Sequence, residues 1–214
     1  MPYTIISRGE SRSFPNEDPF RAAAARTHDA DVVVYLGTGA APTAHPEKAA
    51  VLVELGTECL AVHVPDADGV EFSNLLGFAR YRNGSDPPGK LVEVVRQIDT
   101  PESAIAAAVA VFESAGLGVS VCSDQPGRII DRLVRPKYNA ALRFLDERLA
   151  TERDLDATCR LGLGYPDGPV ERVVRGGLAY HHDVTKALFE AFGTAAFAPA
   201  PRAIAAAARR ERAS

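Results

Sequence analysis

Glu93 is an acidic residue inside the apolar segment Leu91–Val95, which is predicted to be a strand. A buried carboxylate without a partner is costly, so another group must neutralise it. Arg80 and Arg82, near the end of the preceding predicted strand, could form a structural ion pair with Glu93. Alternatively, Glu93 belongs to an altered ligand site. Tyr81 is then a candidate base, although an adjacent carboxylate would oppose the ionised form that such a base needs.

His63 is a second candidate for proton transfer, because it lies at the end of the predicted strand Cys59–Val64 and ligands bind at strand ends in α/β sheets. A hydrogen-bonded structural role is the alternative for a single histidine in this position. His181, His182 and Asp183 could suggest a metal site, but adjacent histidines on a helix point about 100° apart. We therefore expect no metal there, and Asp183 is predicted to cap the N-terminus of a helix.

Three arginines recur at helical spacing in the second half of the chain. Arg128, Arg132 and Arg135 occupy positions i, i+4 and i+7, so on one helix they would share a face. Such a face could bind phosphate groups, since guanidinium ions form paired hydrogen bonds with phosphate oxygens. A solvent-exposed charged face explains the same spacing, and both interpretations remain open.

The elements that would position these residues change character along the chain. Between Asp31 and Cys122, short β-rich segments alternate with alanine-rich helical ones, which is typical of a parallel sheet covered by helices. Helices are predicted from Pro46 to about Leu55 and from Pro101 to about Ala115. The predicted strands are Asp31–Leu36, Cys59–Val64, Gly77–Tyr81, Leu91–Val95 and Gly118–Cys122, with Tyr3–Ile6 as an edge strand.

The chain after Ser123 has only helical patterns. Apolar residues at helical spacing predict one long helix from Ile130 to Leu149 despite Pro136. A capping box begins the next helix at Thr151, Leu161–Pro169 is a turn-rich loop, and Asp183–Phe192 is a further amphipathic helix ended by Gly193. The sequence therefore predicts an α/β unit at residues 1–123 followed by an all-α unit at residues 124–214.

The composition is that of an ordinary globular protein. The chain has 214 residues, of which 46% are hydrophobic, enough for a substantial core. A net charge of -4, from 24 basic and 28 acidic residues, gives no support to nucleic-acid or membrane-surface binding. The cysteines lack zinc-site or disulfide-framework spacing, and Met1–Ser13 lacks the apolar core of a signal peptide. We therefore expect a cytoplasmic protein.

The helical half resembles the C-terminal domain of the 3-hydroxyacyl-CoA dehydrogenases at several separated places in the right order. Asp124–Arg132 is similar to the family motif D-x-P-G-F-x-x-N-R, and Pro136–Leu142 follows at the expected distance. Asp154–Asp156 and Leu161–Pro169 resemble its D-I-D and L-G-x-G-x-P-M-G-P motifs. The sheet half matches more loosely, most strongly at Lys90–Val95. The resemblance implies a Rossmann-like sheet domain followed by a helical domain.

The resemblance also assigns a site. In the family, the glutamate of L-V-E-V orients a catalytic histidine that comes from H-F-F-N-P, and Glu93 corresponds to that glutamate. Counting back from Glu93 by the family spacing places the histidine at Tyr81, whereas counting back from Asn83 places it at Arg80. The family's asparagine near the substrate corresponds to Asp131. We therefore expect altered catalytic positions.

Three residues that were singled out above are further candidates for such a site. His63 is the histidine that could replace the missing one. Arg128 and Arg132 are candidates for binding substrate through the phosphates of coenzyme A.

The cofactor motif of the family is missing from the sequence. Dinucleotide binding needs G-x-G-x-x-G between the first strand and the first helix. The nearest glycine-rich turn, Leu36–Ala41, corresponds to a later strand and lacks the third glycine. The residues before Asp31 are too few for the adenosine half of an NAD site. We expect a truncated Rossmann-like domain, similar to the degenerate second copy of long family members, and no cofactor for the isolated chain, although the family uses NAD.

Three functions are compatible with this resemblance. The first, which we favour, is a catalytically degenerate member that contributes acyl-CoA-cleft walls or a dimer surface to a full-length dehydrogenase. The second is an active NAD-dependent 3-hydroxyacyl-CoA oxidoreductase with a site rebuilt around His63 or Tyr81. The third is a free-standing acyl-CoA-binding protein. Because the family's helical domain forms dimers, the resemblance implies a homodimer.

Overall fold

The computed structural model describes residues 1–25, 30–37, 39–64 and 72–213, which form two compact units. The sheet unit comprises Met1–Arg82 and Pro87–Arg128, and the helical unit comprises Asn83–Asp86 and Ile129–Ser214. Within the glycine-rich turn Leu36–Ala41, Thr38 lies outside the described residues.

The division between the units falls after Arg128 rather than after Ser123, because the intervening residues bond to the sheet unit. The Asp124 carboxylate accepts hydrogen bonds from the backbone amides of Leu60 and Ala61, at 2.7 and 2.9 Å. The short segment Asn83–Asp86 belongs to the helical unit for a similar reason. Asn83 Nδ2 donates to the Arg172 carbonyl at 3.1 Å, and Asp86 pairs with Arg175 at 3.0 Å.

The described residues of the sheet unit form six strands whose order in space follows their order in the chain. Neighbouring strands are parallel except for β4 and β5, which are antiparallel. The edge position of β1 and the positions of β2, β4, β5 and β6 agree with the sequence-based predictions. The strands are β1 (Tyr3–Ser7), β2 (Val32–Leu36), β3 (Ala50–Glu54), β4 (Leu75–Arg80), β5 (Leu91–Arg96) and β6 (Gly118–Ser123).

Each face of the sheet has its own hydrophobic core. Helix α1 (Pro19–Ala22) and helix α2 (Glu102–Ser114) cover the face that carries Phe78 and Val94. Aromatic rings fill this core, and Phe14 stacks on Phe20 with 4.1 Å between ring centroids. The opposite face packs against Leu60 and the segment that follows β3.

Two predicted elements are wrong, and the reason is tertiary. The segment predicted as a helix from Pro46 to Leu55 contains strand β3. This strand pairs with β2 on one side and with β4 on the other, and all five of its residues are buried, so tertiary contacts override the local helix preference. The predicted strand Cys59–Val64 instead contains a 3₁₀ helix, Leu60–His63. Asp124 holds the first amides of this helix, so they are unavailable to a sheet ladder.

The part of the helical unit that the structure describes contains five α-helices. They are α3 (Ile130–Asp146), α4 (Glu152–Ala157), α5 (Pro169–Gly176), α6 (Leu178–Phe192) and α7 (Pro201–Ala213). Thr151 caps α4 through Asp154 N, and Gly193 ends α6 with a positive φ of 63°, both as predicted. The prediction that Asp183 caps a helix is wrong, because α6 begins five residues earlier, at Leu178.

One buried carboxylate explains two sequence motifs of the helical unit. The Asp156 carboxylate accepts hydrogen bonds from Val170 N at 2.8 Å and Glu171 N at 3.0 Å, and so caps α5. A Cβ on Gly168 would lie 2.1 Å from Asp156 Cγ. The cap formed by Asp156 therefore requires a glycine at position 168.

Among the described residues, no helix is long and apolar enough to cross a membrane.

Candidate functional site

Glu93 and Arg128 form a buried ion pair inside the sheet unit. Arg128 Nε lies 3.9 Å from Glu93 Oε2, and each side chain is only 4% exposed. The distance is longer than a hydrogen bond, so the attraction is electrostatic. Arg128 Nη2 also donates to the Gly56 carbonyl, whereas Nε and Nη1 make no hydrogen bond to the described residues. Arg128 thus supplies the positive charge that a buried carboxylate requires.

The backbone before α3 directs Arg128 to this position. Gly127 and Arg128 both have positive φ, at 69° and 48°, and Gly127 N donates to the Thr57 carbonyl at 3.2 Å. A left-handed conformation is uncommon for a residue with a side chain, so these contacts must stabilise it. The helix begins only at Ile130. Arg128 is therefore not a helical residue.

The predicted arginine face does not form, because its three members have different surroundings. Arg128 is buried beside Glu93, while Arg135 is buried beside Asp131, with 2.7 Å between Arg135 Nε and Asp131 Oδ1. Arg132 is exposed and lies over the Phe192 ring, 4.7 Å from its centroid. The i, i+4, i+7 spacing predicts a shared face only if all three residues are helical.

Arg80 cannot neutralise Glu93, because the two side chains leave opposite faces of the sheet. Ala79 is the residue directly opposite Glu93, and consecutive strand residues alternate between faces. Arg80 instead pairs with Asp18, at 2.7 Å, and covers the Phe14 ring at 5.2 Å. The expectation of an Arg80–Glu93 pair is therefore wrong.

Tyr81, the other position that the family spacing gives for the catalytic histidine, lies one residue beyond β4 and is half-buried. Its carbonyl accepts a hydrogen bond from Gly89 N at 2.8 Å. This bond closes the turn between β4 and β5.

His63 has a carboxylate partner within its own loop. Its Nε2 lies 3.6 Å from Glu58 Oε1, in a 3₁₀ helix rather than at a strand end. Burial alone would raise the pKa of Glu58, but His63 and the Gly56 amide lower this pKa to about 2. Glu58 therefore stays ionised. Its contact with His63 is longer than a hydrogen bond, and His63 Nε2 makes no hydrogen bond to the described residues.

Asp131 begins a buried polar chain in the helical unit. Arg135, which binds Asp131, has Nη1 at 3.4 Å from His181 Nδ1. His181 Nε2 lies 3.0 Å from Asn139 Oδ1, and Asn139 Nδ2 donates to the Ala196 carbonyl. Since the Asn139 oxygen must accept, His181 carries its proton on Nε2 and accepts from Arg135 through Nδ1.

The protonation state of His181 follows from its surroundings. Burial, together with the charge of Arg135 and the neighbouring His182, lowers the pKa of His181 to about 3. Sequence reasoning missed this network because His181 comes from another helix, 42 residues after Asn139 in the sequence. A usable signal was present in α3, where Asn139 follows the apolar Tyr138 on the buried side of the helix. Within this network of polar side chains, Arg135 neutralises Asp131.

No group of three His, Cys, Asp or Glu side chains that could hold a metal ion occurs among the described residues. His182 Nδ1 contacts Asp183 at 3.2 Å, and Asp183 also binds Arg210 through both carboxylate oxygens. The cysteines are free, and burial raises the pKa of Cys59 and of Cys122. Thiolates, the nucleophilic form, are thereby disfavoured.

A Rossmann-like sheet unit joined to this helical unit also occurs in solved structures of dehydrogenases. The structure of M. tuberculosis FadB2 superposes with a TM-score of 0.71 at 22% identity, covering 85% of this chain and 66% of that one. E. coli 3-hydroxybutyryl-CoA dehydrogenase gives a TM-score of 0.70 at 24% identity, covering 82% of this chain and 39% of that one. These similarities establish the fold.

Sequence comparisons match the C-terminal part of the chain to one protein family. The family model for the C-terminal domain of 3-hydroxyacyl-CoA dehydrogenase matches residues 127–214. The chain is 36% identical over 106 residues to E. coli (strain K12) 3-hydroxyadipyl-CoA dehydrogenase, covering 50% of this chain and 22% of that protein. It is 34% identical over 113 residues to M. tuberculosis 3-hydroxybutyryl-CoA dehydrogenase, covering 52% and 39%. Residues 127–214 therefore match the C-terminal domain of the 3-hydroxyacyl-CoA dehydrogenases, and the matches span well under half the length of these relatives.

The resemblance to the family relates both ion pairs to one sequence motif. In the motif D-x-P-G-F-x-x-N-R, Arg128 stands at the phenylalanine position and Asp131 at the asparagine position. Each substitution introduces a charge, and each charge is neutralised within the chain, by Glu93 and by Arg135 respectively. The carboxylate at the family's glutamate position thus faces a guanidinium group.

Proposed function

We propose that this chain is a catalytically degenerate member of the 3-hydroxyacyl-CoA dehydrogenase family that acts as an assembly module. The observation that carries the proposal is the pairing of Glu93 with Arg128. An arginine side chain remains protonated at physiological pH, so it cannot accept a proton as the family histidine does. Glu93 then stabilises a permanent charge and takes no part in proton transfer.

The assembly role is supported by the apolar surface of the helical unit. Leu133, Leu149 and Leu163 are 70%, 68% and 63% exposed. An open cavity of about 420 Å³ borders this surface, lined mainly by apolar side chains that include Phe144 and Leu149. A small helical unit gains stability by burying such a surface against a second copy, so the proposed assembly is a homodimer.

Coenzyme A binding is less well supported than assembly. The proposed phosphate-binding arginines do not share a face, since Arg128 is buried with Glu93 and Arg135 with Asp131.

A cytoplasmic location is part of the same proposal, and the free thiols of Cys59, Cys122 and Cys159 support it.

The direct test is NAD-dependent oxidation of 3-hydroxybutyryl-CoA by the purified chain, with a full-length dehydrogenase as positive control. We expect no turnover above the buffer blank and no saturable binding of NADH in isothermal titration. Turnover that Glu93→Gln or His63→Ala abolishes, with an unchanged melting temperature, would show that the chain is an active enzyme.

A further inference from the structure

A second buried carboxylate lies at the end of the sheet where ligands bind in α/β proteins. Glu54 is the last residue of β3 and is 1% exposed. Its Oε1 accepts a hydrogen bond from Ser13 N at 2.8 Å, and its Oε2 accepts one from Gly37 N at 2.7 Å. Ser13 lies in the loop after β1, and Gly37 directly follows β2. Because β1, β2 and β3 are parallel, both loops leave from the carboxyl edge of the sheet.

Contacts independent of Glu54 hold the loop after β2. Gly37 has a φ of 102°, and a Cβ at this position would lie 2.0 Å from the Arg8 carbonyl oxygen. Arg8 N in turn donates to the Leu36 carbonyl at 2.8 Å. The backbone itself therefore points the Gly37 amide toward the Glu54 carboxylate.

The loop after β1 has its own attachments. Ser13 Oγ accepts a hydrogen bond from Arg80 N at 3.1 Å, and Ser11 Oγ accepts one from Phe14 N at 2.9 Å. Phe14 is fully buried among aromatic rings, which fixes the backbone next to Ser13. The two amides that bind Glu54 thus belong to a preformed cradle.

Convergent backbone amides bind carboxylate and phosphate oxygens by the same hydrogen bonds. We propose that Glu54 is an internal anion that fills a phosphate-type cradle and keeps free anions out of the carboxyl edge of the sheet. Removal of its carboxylate leaves two buried amides without an acceptor. A free anion of the phosphate or pyrophosphate class can then take its place. This inference concerns different residues from the Glu93 site and stands apart from the proposed function.

The experiment compares the wild-type chain with Glu54→Ala, Glu54→Gln and Val53→Ala. Glu54→Ala empties the cradle, whereas Glu54→Gln keeps it filled by a neutral side chain. Val53→Ala shortens a fully buried neighbour and leaves the carboxylate in place, so it controls for lost stability. Each protein is titrated with inorganic pyrophosphate at constant ionic strength, and binding is followed by calorimetry and by the melting temperature.

We expect saturable pyrophosphate binding to Glu54→Ala, at least about tenfold tighter than to the other three proteins, with a rise in melting temperature as the site fills. Equal responses from Glu54→Ala and Val53→Ala would overturn the proposal, as would equally tight binding by the wild type. If Glu54→Ala does not fold in plain buffer, the readout is refolding yield. Recovery with pyrophosphate supports the proposal, and failure to recover overturns it.

Discussion

Arg128 and Glu93 neutralise each other in the interior of the sheet unit, although 34 residues separate them in the sequence and each side chain is only 4% exposed. The pair is formed by an arginine at a family phenylalanine position and a glutamate at the position that serves catalysis in the family. This ion pair is the observation on which the proposed function rests.

Removal of either charge should destabilise the chain, because the remaining charge stays buried and loses the opposite charge next to it. We expect Glu93→Gln and Arg128→Met each to lower the free energy of unfolding by roughly 1–3 kcal/mol. The double variant should lose less than the sum, with a coupling energy of about 1 kcal/mol or more. Urea denaturation of the wild type, the two single variants and the double variant measures this coupling energy as a double-mutant cycle. Additive losses would show that the side chains do not interact, and the exposed Arg153→Gln serves as a control that leaves stability nearly unchanged.

Acid should destabilise the helical unit through His181. Its pKa is lowered to about 3 in the folded chain, from an ordinary value of 6.5. Between these two pH values the unfolded chain binds a proton that the folded chain does not, so stability falls as pH drops below 6.5. The slope approaches about 1.4 kcal/mol per pH unit for one proton.

The His181→Asn variant isolates this contribution. Carboxylates also add to the acid dependence, so the informative quantity is the difference between wild type and variant. Urea denaturation at several pH values between neutrality and pH 4 should show a shallower dependence for the variant. Parallel curves for the two proteins would mean that His181 takes up its proton without unfolding.

The cap of α5 should be sensitive to both members of its motif. Asp156→Ala removes the acceptor for two amides and should cost about 1–2 kcal/mol. Gly168→Ala should cost a similar amount, since its Cβ would lie 2.1 Å from Asp156 Cγ. Gly162→Ala is the matched control, because a Cβ there meets nothing within 4 Å. Thermal unfolding measures the loss of stability of the three variants. Equal losses for Gly162→Ala and Gly168→Ala would show that the contact with Asp156 does not explain the effect at Gly168.

The proposed homodimer should depend on the exposed leucines of the helical unit. Leu149→Asp places a charge on a side chain that is 68% exposed, so it should shift the chain toward monomer with little effect on its far-ultraviolet circular dichroism. Ile98→Asp, at a residue of the sheet unit that is 89% exposed, is the control that should leave assembly unchanged. Sedimentation velocity at tens of micromolar measures both. A monomeric wild-type chain would contradict the proposed assembly.

Local sequence signals predicted most of the elements but not the pairing at the site. Short β-rich segments correctly predicted β2, β5 and β6. Thr151 and Gly193 correctly predicted helix ends, because a threonine side chain can cap a helix and a glycine can adopt the positive φ that ends one. The segment Ala50–Glu54 was assigned to a helix because its strand conformation comes from pairing on both sides, which a single segment does not reveal.

The partner of Glu93 was not predictable for a related reason. Helical spacing placed Arg128 on one helix face with Arg132 and Arg135, whereas two consecutive positive φ angles turn its backbone before the helix starts. The family motif has phenylalanine at this position, so the motif gave no indication of a charge partner. The sheet register, which sends Arg80 to the other face, is likewise set by pairing between strands.

The sequential order of the six strands limits the size of any ligand at the carboxyl edge. In doubly wound sheets, a nucleotide-sized crevice opens where the strand order reverses and adjacent connections leave toward opposite faces. Within the described residues the order from β1 to β6 never reverses, and β1 has a neighbour on one side only. The Ser13 and Gly37 amides both bind the single carboxylate of Glu54, so under the proposal above the site takes one small anion. Opening it by substitution of Glu54 admits pyrophosphate but gives a dinucleotide no surface on which to lie.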